Sequence, residues 1–243
     1  MAENTEKSGE KVGRNGFRNR FLGGCRKYAD EWRTYHFHDT STTSRMKQEC
    51  NINNNTTLLS DAGNIAALLY RLKKEYPRTY YDILETIKLV APYISDLVLE
   101  PFGSSQDLIT LKWRQVGCDE SFGPSQLSDG TIRFICLTTL LLQPTRLQPS
   151  TIIIDEPELG LHPYAIALLA DMIKEASKKV QIIISTQSVD LLDEFETDDV
   201  IVVETGSDGT IFKRLNNEDL SEWIENDYAL EELWKKNIIG GRP

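Results

Sequence analysis

The segment Thr151–Pro157 joins a short apolar strand to two adjacent carboxylates, and it restricts the fold more than any other part of the chain. Its first four residues are β-branched and favour a buried strand, after which Asp155 and Glu156 follow directly. A helix is predicted over about 164–177 and a second β-branched strand over 181–184, which completes a βαβ unit. Such strands occur in parallel sheets covered on both faces, so the sequence predicts an α/β fold.

Two carboxylates at the end of a buried strand are suited to holding Mg²⁺ and polarising a water beside a nucleoside triphosphate. On this interpretation the segment is a Walker B motif: Asp155 binds Mg²⁺, directly or through water, and Glu156 orients or deprotonates the attacking water. A buried strand that ends in two acids for structural reasons alone is the alternative. The phosphate-binding loop G-x-x-x-x-G-K-[ST], known as Walker A, occurs nowhere in the 243 residues.

A second element, Ser125–Arg133, lies upstream of this strand and opens a helix with small and polar residues. Ser128, Asp129 and Gly130 at a helix start leave backbone N–H groups free at the positive end of the helix dipole, which suits a phosphate. A plain N-cap at Ser128 or Asp129 would use the same residues, so both interpretations are open from this segment alone.

Three segments in a fixed order resemble bacterial ABC/SMC-like AAA-type ATPases, a group that also resembles RecF and the ATPase half of OLD-type nucleases. The resemblance covers roughly Trp32 to Pro243, and the matching residues are Leu127–Thr131, Ile154–Pro163 and Ser185–Ser188. It implies a P-loop NTPase-like α/β fold of the ABC ATPase type, with a parallel sheet flanked by helices and with β-hairpins. The chain departs from the family in that the N-terminal lobe with Walker A is absent from it. The resemblance also implies ATP and Mg²⁺ as cofactors.

The resemblance implies a composite site, in which ATP held by the P-loop of one subunit is closed over by Ser128–Gly130 of another. Gly160–Pro163 corresponds to the D-loop at that interface, which would bring His162 to the nucleotide; a histidine that merely enters a helix is the alternative. Gln187 occupies the switch position, where ABC-type ATPases have a histidine that contacts the γ-phosphate. Its amide can donate a hydrogen bond but cannot carry charge or shuttle a proton.

The implied function is ATP binding and hydrolysis coupled to dimer opening and closing, in the service of DNA repair or defence against foreign DNA. Because Walker A is missing, we expect low phosphate affinity and little hydrolysis by this chain alone. The expected partner is a second copy or a P-loop-bearing ATPase subunit. An alternative of another class is a non-enzymatic half-domain that complements or regulates a complete P-loop ATPase. A third is a truncated reading frame without a stable product.

Composition supports a soluble, cytoplasmic protein. Hydrophobic residues make up 40% of the chain and charged residues 26%, as in ordinary globular proteins, and no apolar run approaches the length of a transmembrane helix. The net charge of −10 argues against a DNA-coating role but allows a local basic groove. The scattered cysteines indicate neither a disulfide framework nor a zinc site; they are Cys25, Cys50, Cys118 and Cys136.

Residues 1–24 are expected to be a flexible polar tail, with a nucleic-acid-binding arm as the alternative, and 25–243 the C-terminal portion of the ATPase domain. Apolar periodicity predicts a helix after an N-cap at Asp61 and a second helix over about 79–90. The inward-facing residues of these two helices are Ile65, Leu68, Leu69, Leu72, Ile83, Leu84 and Ile87.

Further β-structure is predicted at a short strand, Tyr35–Phe37, and at two antiparallel hairpins. The hairpins join Asp96–Phe102 to Leu108–Val116, and Val200–Glu204 to Thr210–Lys213.

Two smaller features allow more than one interpretation. His36, His38 and Asp39 could bind a metal if the two imidazoles share one strand face, although a solvated polar face is the simpler alternative. Trp223 and Trp234 are expected to be core or interface aromatics.

Overall fold

The computed structural model describes residues 32–216, 233–234, 236 and 238–240; the predicted tail lies outside them. The described residues form ten strands: β1 Trp32–Tyr35, β2 Cys50–Asn51, β3 Ile94–Val98, β4 Leu108–Ile109, β5 Lys112–Gln115, β6 Ser121–Phe122, β7 Thr151–Asp155, β8 Gln181–Ser185, β9 Ile201–Gly206 and β10 Gly209–Arg214. They also form five α-helices: α1 Ile65–Glu75, α2 Pro77–Val90, α3 Asp129–Leu142, α4 Pro163–Ser177 and α5 Val189–Leu192.

A parallel sheet in the order β1-β7-β8 organises the fold, as the βαβ pattern predicts. In the register, Tyr35 pairs with Ile154, which in turn pairs with Ile184, and Asp155 pairs with Ser185. The three strands therefore end together, and we call this end of the sheet the carboxyl edge. Loops that leave parallel strands at such an edge are brought close to one another.

The two faces of this sheet differ. Tyr35, Ile152 and Ile154 point to one face and belong to the main buried cluster, together with apolar residues of α3 and α4. On the other face Trp32 is 56% exposed and Ile183 is 47% exposed. Among the described residues, the parallel sheet is therefore covered on one face, whereas the sequence predicts cover on both faces.

A mixed segment between β1 and α3 packs against the same core. Helices α1 and α2 bury the apolar residues that the periodicity predicts, with Leu68, Leu72 and Ile83 fully inaccessible. The expected N-cap at Asp61 is wrong, because Asn64 precedes α1 and is completely buried. The Asn64 side chain accepts from the N–H of Leu59 and donates to two loop carbonyls, so it organises the approach to the helix.

The first predicted hairpin forms with a different division of strands. Strand β3 pairs antiparallel with β5, which also pairs with β6, whereas β4 leaves this sheet and pairs with β2. Near the turn, an isolated bridge pairs Phe102 with Leu108. The second predicted hairpin is confirmed as β9 and β10.

The strand predicted at Tyr35–Phe37 lies earlier in the chain, because β1 ends at Tyr35. The N–H of His36 donates to the Ser60 carbonyl instead, and the Phe37 carbonyl accepts from the Arg133 side chain. Beyond β10, Leu233 and the partly buried Trp234 pack with Val202, whereas Trp223 lies outside the described residues. Within the part of the chain that the structure describes, no helix has the length and apolarity to cross a membrane.

Candidate functional site

The carboxyl edge carries the two predicted Walker B carboxylates. The Asp155 side chain is 48% exposed, and the Ser185 hydroxyl donates to its Oδ1 at 2.5 Å. Nε2 of His38 lies 3.0 Å from the Asp155 carbonyl oxygen and 3.9 Å from Oδ2. The loops that follow β1, β7 and β8 therefore meet around Asp155.

Glu156 has an unusual backbone conformation, with φ at +40°. A side chain with a Cβ is disfavoured in this left-handed region, and such strain concentrates at functional sites. The Glu156 N–H donates to the Ser185 carbonyl at 2.8 Å, so a contact with the neighbouring strand holds the strained residue in place.

Glu158 is a third carboxylate at this edge, and no role was predicted for it. The Thr186 hydroxyl donates to its Oε1 at 2.6 Å, while its buried Oε2 has no partner among the described residues. Burial raises the pKa of Glu158; the Thr186 hydrogen bond opposes this, and the charges of Glu156 and Asp155 raise it further. Glu158 connects the loop after β7 to the loop after β8.

The turn Ser128–Gly130 begins helix α3, as predicted. Ser128 is the N-cap, and its hydroxyl oxygen accepts from the N–H of Thr131 at 3.2 Å. The Asp129 side chain is 62% exposed and lies 3.3 Å from the ammonium of Lys47, whose own side chain is only 5% exposed. The N-cap interpretation is therefore correct for Ser128, and it leaves the residue at the solvent-facing start of a 14-residue helix.

Backbone contact joins this turn to the loop 156–162, which we call the Gly160 loop. A Cβ on Gly130 would lie 2.5 Å from the Gly160 carbonyl oxygen, a distance that real Cβ atoms do not show. Gly160 itself has φ at +74°, and a Cβ there would lie 2.6 Å from Nη1 of Arg133. Both glycines are required by close approach, so the two predicted elements form one surface within a single chain.

Arg133 holds these loops together, and the sequence did not predict this role. It is 9% exposed and donates to three carbonyls: Nε to Phe37 at 2.9 Å, Nη2 to His38 at 2.9 Å, and Nη1 to Leu159 at 2.8 Å. The signal was an arginine inside the otherwise apolar run of α3, since a buried charge requires partners.

His162 and Gln187 lie on the loops of the same edge. His162 is the N-cap of α4, where its Nδ1 accepts from the Tyr164 N–H at 3.3 Å, as the helix-entry alternative expects. It is exposed, and so is Gln187, which follows β8 and precedes the N-cap of α5 at Ser188. Their predicted contacts with a nucleotide stay predictions.

A metal site formed by His36, His38 and Asp39 has no support, because these residues follow β1 and do not share one strand face. No group of three or more histidine, cysteine or acidic side chains within the described ranges is placed to hold a metal ion. The described cysteines are Cys50, Cys118 and Cys136, and all three are free thiols.

We expect Gly160→Ala to destabilise the protein more than Gly117→Ala. Gly117 has φ at +76° with nothing within 4 Å of an added Cβ, so each substitution has a left-handed penalty of about 1–2 kcal/mol. Only Gly160→Ala also displaces the Arg133 guanidinium, which adds about 1–3 kcal/mol. Urea unfolding of both variants gives the comparison, and equal losses would show that the Gly160 loop does not pack on Arg133.

We expect Glu158→Gln to become more stable relative to the native protein as the pH rises. A raised pKa means that the protonated form of Glu158 stabilises the fold, fully so below its ordinary pKa of 4.5. That stability is lost as the pH rises through the higher pKa of the folded state, whereas glutamine stays neutral. The measurement is the free energy of unfolding of each variant relative to the native protein, from pH 4 to 8 in metal-free buffer, with the exposed Glu120→Gln as control. If this difference depended on pH in the same way for both variants, the expectation would be contradicted.

Comparison with known proteins identifies the family. The family model described as "AAA domain, putative AbiEii toxin, Type IV TA system" matches residues 29–193, which is more than half of the chain. The match includes the Ser128–Gly130 turn, the Asp155–Glu156 pair and Gln187. A comparison with curated proteins gives no match.

Solved structures support the fold. An Smc head bound to the C-winged helix domain of ScpA is 16% identical with a TM-score of 0.51, covering 70% of this chain and 50% of its own. An Smc head domain with an extended coiled coil, bound to the C-terminal domain of ScpA and derived from Pyrococcus furiosus, is 17% identical with a TM-score of 0.50. That alignment covers 69% of this chain and 42% of the Smc chain. The chain thus spans half or less of these two proteins, and at such identity the likeness concerns the fold.

The parallel sheet with its helices, the order of the loops at the carboxyl edge and the family match agree with one another. The chain therefore belongs to the AAA-domain family of that description, within the ABC/SMC-like AAA-type ATPases.

Proposed function

We propose that this chain provides the carboxylate and turn elements of an ABC/SMC-type ATP-hydrolysing site whose phosphate-binding loop comes from outside these 243 residues. The observation that carries the proposal is the convergence of Asp155, Glu156 and the Ser128–Gly130 turn at one edge, joined by Arg133 and by the Gly130–Gly160 contact. Separate structural roles would not require these elements to be adjacent.

Mg²⁺ suits the donors around Asp155. This ion usually binds through one or two carboxylates plus phosphates and waters, so a half-exposed Asp155 with the Ser185 hydroxyl beside it is sufficient on the protein's side. A bound Mg²⁺ would neutralise charge on the phosphate oxygens. In contrast, the sequence has no Gly-Lys-Ser/Thr to cradle the phosphates, so ATP fits only with a P-loop supplied from elsewhere.

Glu156 is proposed as the general base or orienting group for the attacking water. It follows Asp155 directly, and its strained backbone is held by the Ser185 carbonyl, which restricts where its carboxylate can point. Gln187 would donate an amide hydrogen bond toward the γ-phosphate, and His162 would lie beside the nucleotide at the subunit interface. In the composite site, Ser128–Gly130 would close over ATP bound by another subunit.

A non-enzymatic half-domain is the second candidate, favoured by the exposed sheet face. Trp32 and Ile183 lie on this face, and β8 is an edge strand with no further partner strand among the described residues. Exposed edges and apolar faces of parallel sheets favour association with another polypeptide. Under this candidate the chain would complete or regulate a P-loop ATPase without contributing Glu156 to chemistry. A role in DNA repair or phage defence is suggested only by the resemblance to ABC/SMC-like ATPases.

Phosphate release separates the two candidates. The chain would be purified from its native cell with any P-loop-bearing protein that remains bound, and assayed with Mg²⁺ and ATP, alone and in that complex. We expect negligible turnover by the chain alone and clear turnover by the complex. Glu156→Gln should reduce the rate by roughly 10²–10⁴-fold, the usual contribution of a general base, while the complex still forms.

Exposed Glu100→Gln is the matched control and should keep the native rate. Turnover that survives Glu156→Gln would favour the non-enzymatic candidate. The absence of both a complex and turnover would contradict the proposed site.

A further inference from the structure

A chain of hydroxyl groups connects Tyr93 to Ser128. The Tyr93 Oη lies 3.0 Å from Oγ1 of Thr131, and this oxygen lies 2.8 Å from Oγ of Ser128. Tyr93 immediately precedes β3, whereas the other two residues belong to the start of α3. Thr131 is 8% exposed, so its hydroxyl depends on these partners rather than on bulk water.

The tyrosine end of the chain is fixed by aromatic packing. The ring of Tyr93 meets that of Trp113 edge-on at 5.5 Å, and Trp113 packs on Phe122 at 4.9 Å. The indole N–H of Trp113 donates to the Gly123 carbonyl, which anchors the stack to the residues before α3. The antiparallel sheet β3-β5-β6 therefore sets the position of the Tyr93 hydroxyl.

The direction of the hydrogen bonds decides what Ser128 can do. Each hydroxyl has one hydrogen to donate and two lone pairs that accept, and a phenol is a stronger donor than an aliphatic hydroxyl. When Tyr93 donates to Thr131, the Thr131 hydroxyl donates to Ser128. Ser128 then accepts from both the hydroxyl and the N–H of Thr131, so its own hydrogen is left to point outward. Without Tyr93, Ser128 can instead donate inward to Thr131.

We infer that Tyr93 is a positioning residue, which through Thr131 directs the Ser128 hydroxyl hydrogen toward a bound phosphate. This inference rests on the proposed role of Ser128–Gly130 as a phosphate-contacting turn. It adds that the sheet β3-β5-β6 controls the donor state of that turn, so a displacement of this sheet changes phosphate contact without moving α3.

Because the chain is expected to hold phosphate only weakly without a P-loop, the full chain is titrated with tripolyphosphate up to high millimolar concentrations, at which contact with a single turn is measurable. Titration would be followed through the backbone amide signals of Ser128, Asp129 and Gly130 by nuclear magnetic resonance. Tyr93→Phe keeps the ring and removes the hydroxyl, and we expect it to weaken binding roughly fivefold, the equivalent of one hydrogen bond. The exposed Tyr81→Phe is the matched control and should bind as the native chain does.

Two substitutions of Thr131 separate positioning from packing. In the Tyr93→Phe background, Thr131→Val removes the oxygen to which Ser128 donates inward, so it should restore binding to within about twofold of the native chain, whereas Thr131→Ser keeps that oxygen and should not. A purely structural role predicts no restoration by either substitution, because both leave the Tyr93 hydroxyl absent. Thermal unfolding of each variant confirms that the fold is intact.

The outcomes distinguish this inference from the proposed function. Native-like binding by Tyr93→Phe, together with loss of binding in Ser128→Ala, would overturn the relay and keep the phosphate-contacting turn. Failure of the native chain to bind, or binding unaffected by Ser128→Ala, would overturn the proposed role of the turn and the relay with it.

Discussion

Three hydrogen bonds from the buried guanidinium of Arg133 are the constraint on which the carboxyl edge depends. The charge is almost inaccessible to water, and its donors go to backbone carbonyls at Phe37, His38 and Leu159. Hydrogen bonds to a charged group contribute about 1.5–3 kcal/mol each, and leaving a buried charge without them is costly. These hydrogen bonds therefore hold the loops after β1 and β7 against the first turns of α3.

This constraint explains the backbone around it. Because the Gly160 loop must approach both the guanidinium and the start of α3, Gly130 and Gly160 have no room for a side chain. The same loop begins with the strained Glu156 and is tied to the loop after β8 through Glu158 and Thr186. The result is an edge at which the loop that follows the half-exposed Asp155 is held against the start of α3. Such pre-organisation is what phosphoryl-transfer chemistry requires of a protein.

Sequence periodicity was sufficient for the elements that depend on local pattern. The strand ending at Asp155, helix α4 and strand β8 were predicted to within a residue or two, because β-branched runs and helical spacing determine them. The pairing of β4 with β2 was not predictable, because the two strands are far apart in the sequence and local pattern does not indicate which strand pairs with which. Arg133 and Glu158 were missed for a similar reason: Arg133 bonds to carbonyls 96 and 95 residues away, and no local pattern reports such partners. The motif order predicted that the Ser128–Gly130 turn closes over ATP held by another subunit, which stays a prediction; the contact of this turn with the Gly160 loop of the same chain was not predicted.

Hydrogen exchange of Arg133→Lys tests most directly whether one guanidinium assembles this edge. Lysine keeps the charge but cannot donate in three fixed directions, and Arg78→Lys, at an exposed position of α2, is the control. We predict faster amide exchange in residues 36–40 and 156–162, with β9 and β10 unchanged. Unaltered exchange in those two loops would contradict the account, because the edge would then be held by other contacts.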